Sequence, residues 1–444
     1  MKKLSVLAIT AFMPFMAMAH GHTDGPSIGP VRVEFILFGL TLVGVALFHH
    51  KTMQVALAGL AAIVIWELFV AKGFNIREHF FGTHNFIEQL IHKDQRQGEW
   101  SVILNLLGLL LGFSILAKHF EDSGVPGILP HYLPDDWKGG FVLLLLIAVL
   151  SSFLDNIAAA IIGGTVAATV FRGKVHIGYL AAIVAASNAG GAGSVVGDTT
   201  TTMIWIAGVP APEVLHAYVA AIPALIFFAF IAARQQHAYQ PIRKEPKAHA
   251  HINVKKLMAV LLILIGAILA NFMFDFPALG VWLAILLAAL FNKTPWSEAK
   301  HATGGSVFLL SLVVAASMMP VDSLPSASAG IALTLGFISS VFDNIPLTKL
   351  ALTQGGYDWG VLAYAVGFGG SMIWFGSSAG VALSNMYPEA KSVGAWMKNG
   401  WHVAVAYVLG FVILIGTLGW NPDTKYLPAQ PGNRIDHHME QPVH

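Results

Sequence analysis

The sequence has no cysteine and few charged residues. The lack of cysteine excludes disulfide bonds, a thiolate metal site and a cysteine nucleophile. Only 11% of the residues are charged, against roughly 25% in soluble domains, and this shortage excludes a soluble globular protein. The formal net charge is +1 and the basic residues are scattered, which argues against a nucleic-acid partner because such a partner needs a concentrated basic face.

Apolar residues, by contrast, make up 56% of the chain. Membrane-spanning helices need about 20 predominantly apolar residues. Runs close to this length predict transmembrane helices at 33–48, 53–71, 100–117, 214–233, 257–274 and 402–420. The lipid bilayer is therefore the expected surroundings of most of the chain, and the fold class is an all-α polytopic membrane protein.

The N-terminus has the pattern of a secretory signal. Lys2 and Lys3 precede a short apolar stretch, and the small residues Ala17 and Ala19 suit a signal peptidase, so residues 1–19 are predicted to be removed. The alternative is an uncleaved first helix, although Pro14 interrupts it. A cleaved signal implies a bacterial inner membrane and a periplasmic mature N-terminus. That terminus would read His20-Gly21-His22, and whether it binds copper or nickel stays open.

Two zones, 139–209 and 303–386, have shorter apolar pieces interrupted by polar residues and glycine. Residues 151–157 (SSFLDNI) and 339–345 (SSVFDNI) share five of seven identities, and a glycine-rich break follows each some thirty residues later. The chain is therefore interpreted as two copies of one unit. Glycine-interrupted hydrophobic segments at matching places in two halves point to a secondary transporter with its site near the membrane midplane. Each copy is expected to hold a re-entrant helical hairpin and a discontinuous helix.

Basic residues between the copies predict the topology. The linker 234–256 contains six lysines and arginines, which places it in the cytoplasm. With five crossings and one re-entrant hairpin per copy, the two copies are inverted relative to each other. The predicted divisions are a first repeat at 20–233, the linker, a second repeat at 257–421 and a periplasmic tail at 422–444.

Three aspartates lie within the polar breaks, where a charged side chain costs roughly 3 kcal/mol on insertion scales. A buried carboxyl group holds a proton when no ion is bound and loses it when a cation binds, and this competition is itself an exchange mechanism. Sodium prefers oxygen ligands, with Asp198 and Thr199 as the expected core of the site. The predicted ion- and proton-binding residues are Asp198, Asp155, Asp343, Asn156, Asn344, Thr199, Thr200, Asn188, Ser377 and Ser378.

The two copies differ at one informative position. Asp198 aligns with Ser377 through the match of Gly197 with Gly376, so only one break has a carboxylate. An architectural carboxylate would be expected in both copies, and Asp198 is therefore ranked first as the carrier. For Asp155 and Asp343 helix capping is an equal alternative, since Asp is a favoured N-cap residue. Lys349 is expected to reach the outer membrane surface or to pair with Asp343.

The Asp-Asn-Ile tips, residues 187–206 (SNAGGAGSVVGDTTTTMIWI) and residues 369–382 (GGSMIWFGSSAGVA) resemble the NhaD-type sodium/proton antiporters of the ion transporter superfamily. The resemblance covers most of residues 100–400. It implies a homodimer in which each protomer has a scaffold domain and a transport domain. The transport domain would carry two opposed hairpins and two unwound helices and move like an elevator.

The leading hypothesis is a transporter that exchanges sodium, or lithium, for protons and needs no cofactor. The alternative within the superfamily is an anion carrier for citrate, a dicarboxylate or arsenite, although acidic tips would repel a carboxylate. An intramembrane enzyme is disfavoured, since the sequence lacks a His-Glu-x-x-His zinc motif and the duplication indicates transport.

Overall fold

The computed structural model describes residues 26–28, 31–48, 51–71, 74–243 and 252–422. Several predictions concern residues outside these ranges. They are the signal peptide 1–19, the terminus His20-Gly21-His22, the linker residues 244–251 and all but the first residue of the tail 422–444.

The described residues are almost entirely helical. The α-helices of the first half are α1 (Val33–Leu47), α2 (Thr52–Phe69), α3 (Ile76–Phe81), α4 (Phe86–Ile91), α5 (Trp100–Glu121), α6 (Val125–Tyr132), α7 (Trp137–Ser151), α8 (Asn156–Val170), α9 (Ile177–Gly191), α10 (Thr199–Ile206), α11 (Ala211–Leu215) and α12 (Tyr218–Tyr239). Those of the second half are α13 (Val254–Phe274), α14 (Pro277–Ala288), α15 (Trp296–Ser317), α16 (Ala329–Ser339), α17 (Asn344–Gln354), α18 (Trp359–Leu362), α19 (Ser378–Met386), α20 (Val393–Asn399) and α21 (Trp401–Leu418).

Shorter elements complete the described chain. A two-stranded antiparallel ribbon, β1 (Ser27–Ile28) and β2 (Val31–Arg32), precedes α1. A π-helix spans Ala363–Phe368. Short 3₁₀ turns occupy Lys93–Gln95, Val321–Ser323, Gly370–Met372 and Pro388–Lys391.

Six helical segments are long and apolar enough to cross a membrane: Thr52–Phe69, Trp100–Glu121, Ala211–Tyr239, Val254–Phe274, Trp296–Ser317 and Trp401–Leu418. Five of the six predicted spans correspond to these segments, in agreement with a multi-pass membrane protein. The remaining predicted span, 33–48, forms a helix of only 15 residues.

The segment Trp296–Ser317 was not predicted as a span, because most of it lies in the zone 303–386, whose apolar pieces are interrupted by glycine and polar residues. The helix continues because its polar side chains bond to its own backbone. The Ser306 hydroxyl donates to the Ala302 carbonyl at 2.9 Å, and Ser311 donates to Val307 at 2.7 Å. Serine can therefore lie inside a transmembrane helix without an external partner.

The helices pack into two groups. The first group contains α1, α2, α5, α13, α14 and α15, and the second contains α7, α8, α9, α10, α12, α16, α17, α19, α21 and the π-helix. Small residues permit close packing within them: a Cβ on Gly280 would overlap the Gly266 carbonyl, so α13 and α14 cross in backbone contact. The groups meet chiefly where α5 contacts α10 and where α15 contacts α17.

The sequence repeat appears as a repeat of local structure. Asp155 caps α8 after the turn from α7, and Asp343 caps α17 after the turn from α16. Ser151 donates to the Ser187 carbonyl at 2.6 Å, and the equivalent Ser339 donates to Val366 at 2.8 Å. The two Asp-Asn-Ile tips are thus anchored in the same manner.

Each tip faces an interrupted helix. In the first half α9 ends at Gly191 and α10 begins at Thr199, leaving residues 192–198 non-helical. Within this break Thr201 donates to the Ser194 carbonyl at 2.5 Å, and Thr202 donates to Val195 at 2.9 Å. In the second half the π-helix and a 3₁₀ turn precede α19. Both breaks lie inside the protein, as expected for irregular backbone at membrane depth.

Candidate functional site

Asp198 lies at the centre of the candidate site. Its side chain is 2% exposed, and its backbone occupies the N-cap position of α10. The carboxylate makes no capping bond. Instead, Asn156 donates to Oδ1 at 3.0 Å and Asn344 donates to Oδ2 at 3.5 Å. One carboxylate thus contacts the tips of both hairpins.

Ser377 shows what a capping residue does at the matching position. The two residues have similar extended backbones, with φ −145° and ψ 143° at Asp198 and φ −142° and ψ 152° at Ser377. Ser377 Oγ accepts from the Gly380 amide at 3.3 Å and so caps α19. The Asp198 carboxylate instead accepts hydrogen bonds from the two asparagines. The two matching positions therefore differ in their side-chain partners, and the role of Asp198 as the carrier stays a prediction.

Asn188 extends the network to the second break. Its Oδ1 accepts from Asn156 Nδ2 at 2.9 Å, and its Nδ2 donates to Ser371 Oγ, also at 2.9 Å. Ser371 was not among the predicted residues. The sequence shows a serine directly after Gly369 and Gly370, but nothing in it distinguished this serine from Ser377 and Ser378.

The four consecutive threonines divide into two kinds. The hydroxyls of Thr201 and Thr202 bond to backbone carbonyls, including that of Asp198. The Thr200 hydroxyl is fully buried next to the Asp198 carboxylate. Thr199 is 8% exposed and lines a cavity. Thr199 and Thr200 therefore adjoin the site, and their part in ion binding stays a prediction.

Asp155 and Asp343 cap their helices, so the capping interpretation is correct for both. Asp155 accepts from the Ile157 amide at 3.2 Å, and Asp343 accepts from Ile345 at 3.0 Å. Their other surroundings differ: Asp155 lines the cavity together with Asp198, whereas Asp343 accepts from the Ser378 hydroxyl at 3.1 Å. Each cap uses only one of the two carboxylate oxygens. Ion binding by Asp155 and Asp343 therefore stays a prediction.

A cavity of about 740 Å³ connects Asp198 and Asp155 with the protein surface. Its walls are mainly apolar residues of α5, α8 and α15, such as Leu109, Ile161 and Leu309. Its far end is lined by the partly exposed charged residues Lys118, Glu121 and Glu298. The cavity therefore lies between the two helix groups and gives water access to Asp198 from one end.

The groups that face the Asp198 carboxylate are the side-chain amide N–H groups of Asn156 and Asn344, and the nearby oxygens are those of Asp155, Thr199 and Thr200. Carboxylate and hydroxyl oxygens are ligands that a hard cation prefers, whereas the amide N–H groups stabilise the Asp198 carboxylate itself. Among the described residues, no three of His, Cys, Asp or Glu come together as a group that would hold a metal ion. The part that these groups play in ion binding stays a prediction.

Lys349 has a partner that the sequence did not suggest. Its Nζ lies 2.7 Å from both carboxylate oxygens of Glu99, at the start of α5, and its side chain is nearly buried. The expected pairing with Asp343 is not observed, because the ammonium group bonds Glu99 instead. The reason is that the fold places Glu99 closer, across a sequence separation of 250 residues.

Comparison with known proteins gives several relatives. Sodium/proton antiporter 1 of Arabidopsis thaliana is 25% identical over 401 residues, covering 79% of this chain and 66% of the relative. Sodium/proton antiporter 2 of the same plant is 22% identical over 398 residues, covering 79% and 91%. The Na(+)/H(+) antiporter NhaD of Vibrio parahaemolyticus is 25% identical over 306 residues, covering 56% and 72%. The chain spans just under two thirds of the first of these relatives, and the resemblance to NhaD-type proteins is confirmed.

A family profile described as citrate transporter matches residues 6–369. The match includes both hairpin tips, the first break and the π-helix. The family and the relatives are membrane transport proteins and not enzymes. The chain therefore belongs to the citrate transporter family.

Proposed function

We propose that this protein is a secondary active transporter that exchanges sodium or lithium for protons across the bacterial inner membrane. The observation that carries the proposal is the Asp198 carboxylate, which is buried and held by asparagines from both hairpins. A proton or a small cation can neutralise this charge, but not both at once. The names of the plant and bacterial relatives support the same exchange.

The arrangement of the helix groups supports an elevator-type movement. Asp198 belongs to the second group, and its cavity is bounded by α5 and α15 of the first group. Movement of the second group against the first would carry the site from one side of the membrane to the other. The paired tips and paired breaks support two inverted repeats, which is the usual construction of such carriers. The resemblance to NhaD-type antiporters supports a homodimer.

Charge distribution supports the orientation. Lys256, in the basic linker, lies 3.6 Å from Asp122 at the end of α5, next to the charged mouth of the cavity. Basic segments between transmembrane helices favour the cytoplasm. The cavity mouth therefore faces the cytoplasm in this proposal, and the mature N-terminus faces the periplasm.

An anion carrier is the second candidate because of the family's name, but the site opposes it. Asp155 and Asp198 both face the cavity, so an entering carboxylate would meet two acidic groups. Citrate at neutral pH would be repelled at this place. Arsenite is neutral near pH 7 and is therefore kept as a test substrate.

The test uses acridine-orange fluorescence in everted membrane vesicles with a respiration-driven pH gradient. Addition of sodium or lithium is expected to restore fluorescence, because cation entry would be exchanged for protons leaving the vesicle. Potassium, citrate and arsenite are added in turn as comparisons. Vesicles without the protein provide the background, and a response to citrate or arsenite with none to a cation would overturn the proposal.

Replacement of the tip aspartates separates capping from ion binding, because Asn is as good an N-cap residue as Asp. Asp155→Asn should lower exchange by about tenfold, as expected when a buried site loses a charged contact worth about 1.5–3 kcal/mol. Asp343→Asn should have the smaller effect, since that carboxylate bonds Ser378 and is not a cavity-lining group. Initial rates at several sodium concentrations measure both. Wild-type rates in Asp155→Asn would leave Asp155 with capping alone.

A further inference from the structure

The Glu99–Lys349 ion pair joins the two helix groups at the end of α5 opposite the cavity mouth. Glu99 directly precedes α5, whereas Glu121 at the mouth is the last residue of this helix. A helix of 22 residues is about 33 Å long. Lys349 belongs to α17 of the second group and is 7% exposed. The pair therefore links the two helix groups at the end of α5 that lies opposite the cavity mouth.

The first group holds Glu99 in place through His79 and the end of α15. The Glu99 amide donates to the His79 carbonyl at 3.1 Å, and His79 Nε2 lies 3.0 Å from the hydroxyl of Ser317, the last residue of α15. Burial and the Lys349 ammonium lower the pKa of His79, although Glu99 acts in the opposite direction. A neutral His79 adds no third charge, so Glu99 is left as the partner of Lys349.

Lys349 is rigidly connected to the ion site. Its helix, α17, begins at Asn344, whose amide donates to Asp198. Five residues of helix separate the two positions by about 7–8 Å. Within the described residues, those that line the cavity come from α5, α6, α8, α10, α15 and adjoining turns, and α17 contributes none. The side of Asp198 that faces α17 is therefore closed while the cavity side is open.

We propose that Glu99 and Lys349 are positioning residues that form the outer gate of the exchange site. The inference rests on the proposed function, because it requires the second group to move against the first. Such movement separates α17 from α5 and must break the pair. Two unpaired charges are tolerated only where water reaches them. The outer water path to Asp198 therefore opens between Glu99 and Lys349.

An ion pair within the first group provides a comparison. Lys93 and Asp275 lie 3.2 Å apart, and their side chains are 40% and 58% exposed. Both residues belong to the loops at the outer end of the first group, so this pair should persist when the second group moves. Lys93 is therefore the matched control for Lys349.

The gate can be tested by cross-linking, because the chain contains no native cysteine. The double variant carries Glu99→Cys and Lys349→Cys. Bifunctional methanethiosulfonate reagents of increasing length should join α5 to α17 in this variant and stop exchange. A reducing agent should restore the exchange rate of the untreated double variant. Each single-cysteine variant receives the same reagents as a control. Unchanged exchange in fully cross-linked protein would overturn the proposal, since α17 would then not move away from α5.

A second measurement does not depend on the transported ion. A cysteine at Thr165, an exposed residue lining the cavity, reports cytoplasmic access through its labelling by a membrane-impermeant maleimide in everted vesicles. Lys349→Met leaves Glu99 unpaired in the inward-open state and should slow this labelling by at least about fivefold, as expected when a buried pair loses one partner. Lys349→Arg and Lys93→Met should label at the rate of the Thr165→Cys parent.

The two measurements distinguish failure of the gate from failure of the proposed function. If wild-type vesicles exchange sodium but neither cross-linking nor Lys349→Met has an effect, the gate is wrong and sodium exchange stands. If the vesicles respond to no cation but labelling changes as expected, the gate stands and the substrate is wrong. Equal labelling of Lys349→Met and Lys93→Met would remove Lys349 from the gate.

Discussion

Asp198→Asn should abolish sodium-dependent proton exchange while leaving the protein folded and inserted. Asn keeps the size of the side chain and can accept a bond from Asn156, but it neither binds a proton nor neutralises a cation. Removal of one partner of a buried charge interaction costs about 3–5 kcal/mol, so the exchange rate should fall by at least about a hundredfold. Acridine-orange dequenching in everted vesicles, at matched amounts of protein, measures the loss.

The same substitution at Asp136 provides the control. Asp136 is an N-cap residue at the start of α7, where its side chain accepts from the Lys138 amide at 2.9 Å in an exposed position. Asp136→Asn retains the cap and should exchange sodium at the wild-type rate. If Asp198→Asn exchanged as well as Asp136→Asn, Asp198 would have no place in the mechanism.

Gly367→Ala should weaken sodium binding strongly through steric contact with the site. A Cβ at Gly367 would lie 3.1 Å from Asp198 Oδ2, closer than a favourable van der Waals separation of roughly 3.5 Å. The π-helix brings this residue against the carboxylate, which would have to shift away from Asn344 and Asn156. Displacements of this kind in a preformed site cost tenfold or more, and the sodium concentration giving half-maximal exchange should rise by about tenfold.

Gly304→Ala tests whether any added methyl group has this effect. Gly304 lies in α15, and nothing approaches within 4 Å of the position of its Cβ. Alanine is the better helix former, so this variant should fold well and keep the wild-type sodium dependence. A normal sodium dependence in Gly367→Ala would mean that the cation binds on another side of Asp198.

The two hairpin tips and the two helix breaks were predictable because short, local sequence patterns specify them. The two SS-x-x-DNI segments and the glycine-rich breaks predicted two tips and two interrupted helices, and the structure has both. Asp198 stood out because its counterpart is Ser377, and the observed backbone confirms that these two positions match. Helix capping at Asp155 and Asp343 followed from the known preference of Asp for that position.

Contacts between distant parts of the chain could not be predicted in this way. The bond from Asn188 to Ser371 spans 183 residues, and the Glu99–Lys349 pair spans 250. Charge and polarity indicate that buried groups need partners, but they do not choose among several candidates. The continuous helix α15 was missed for a different reason: glycine and polar residues interrupt the apolar sequence of the zone 303–386, while the serine hydroxyls bond within the helix.

The hydroxyls of Thr201 and Thr202 have a kinetic consequence. They tie residues 194, 195 and 198 to the first turn of α10, so protein atoms hold the non-helical segment between α9 and α10 in shape. A cation that arrives or leaves therefore does not have to order or melt this segment. In the proposed exchange the site is therefore preorganised, and turnover should be limited by movement of the helix groups or by proton release, with no slow refolding phase after each ion departs.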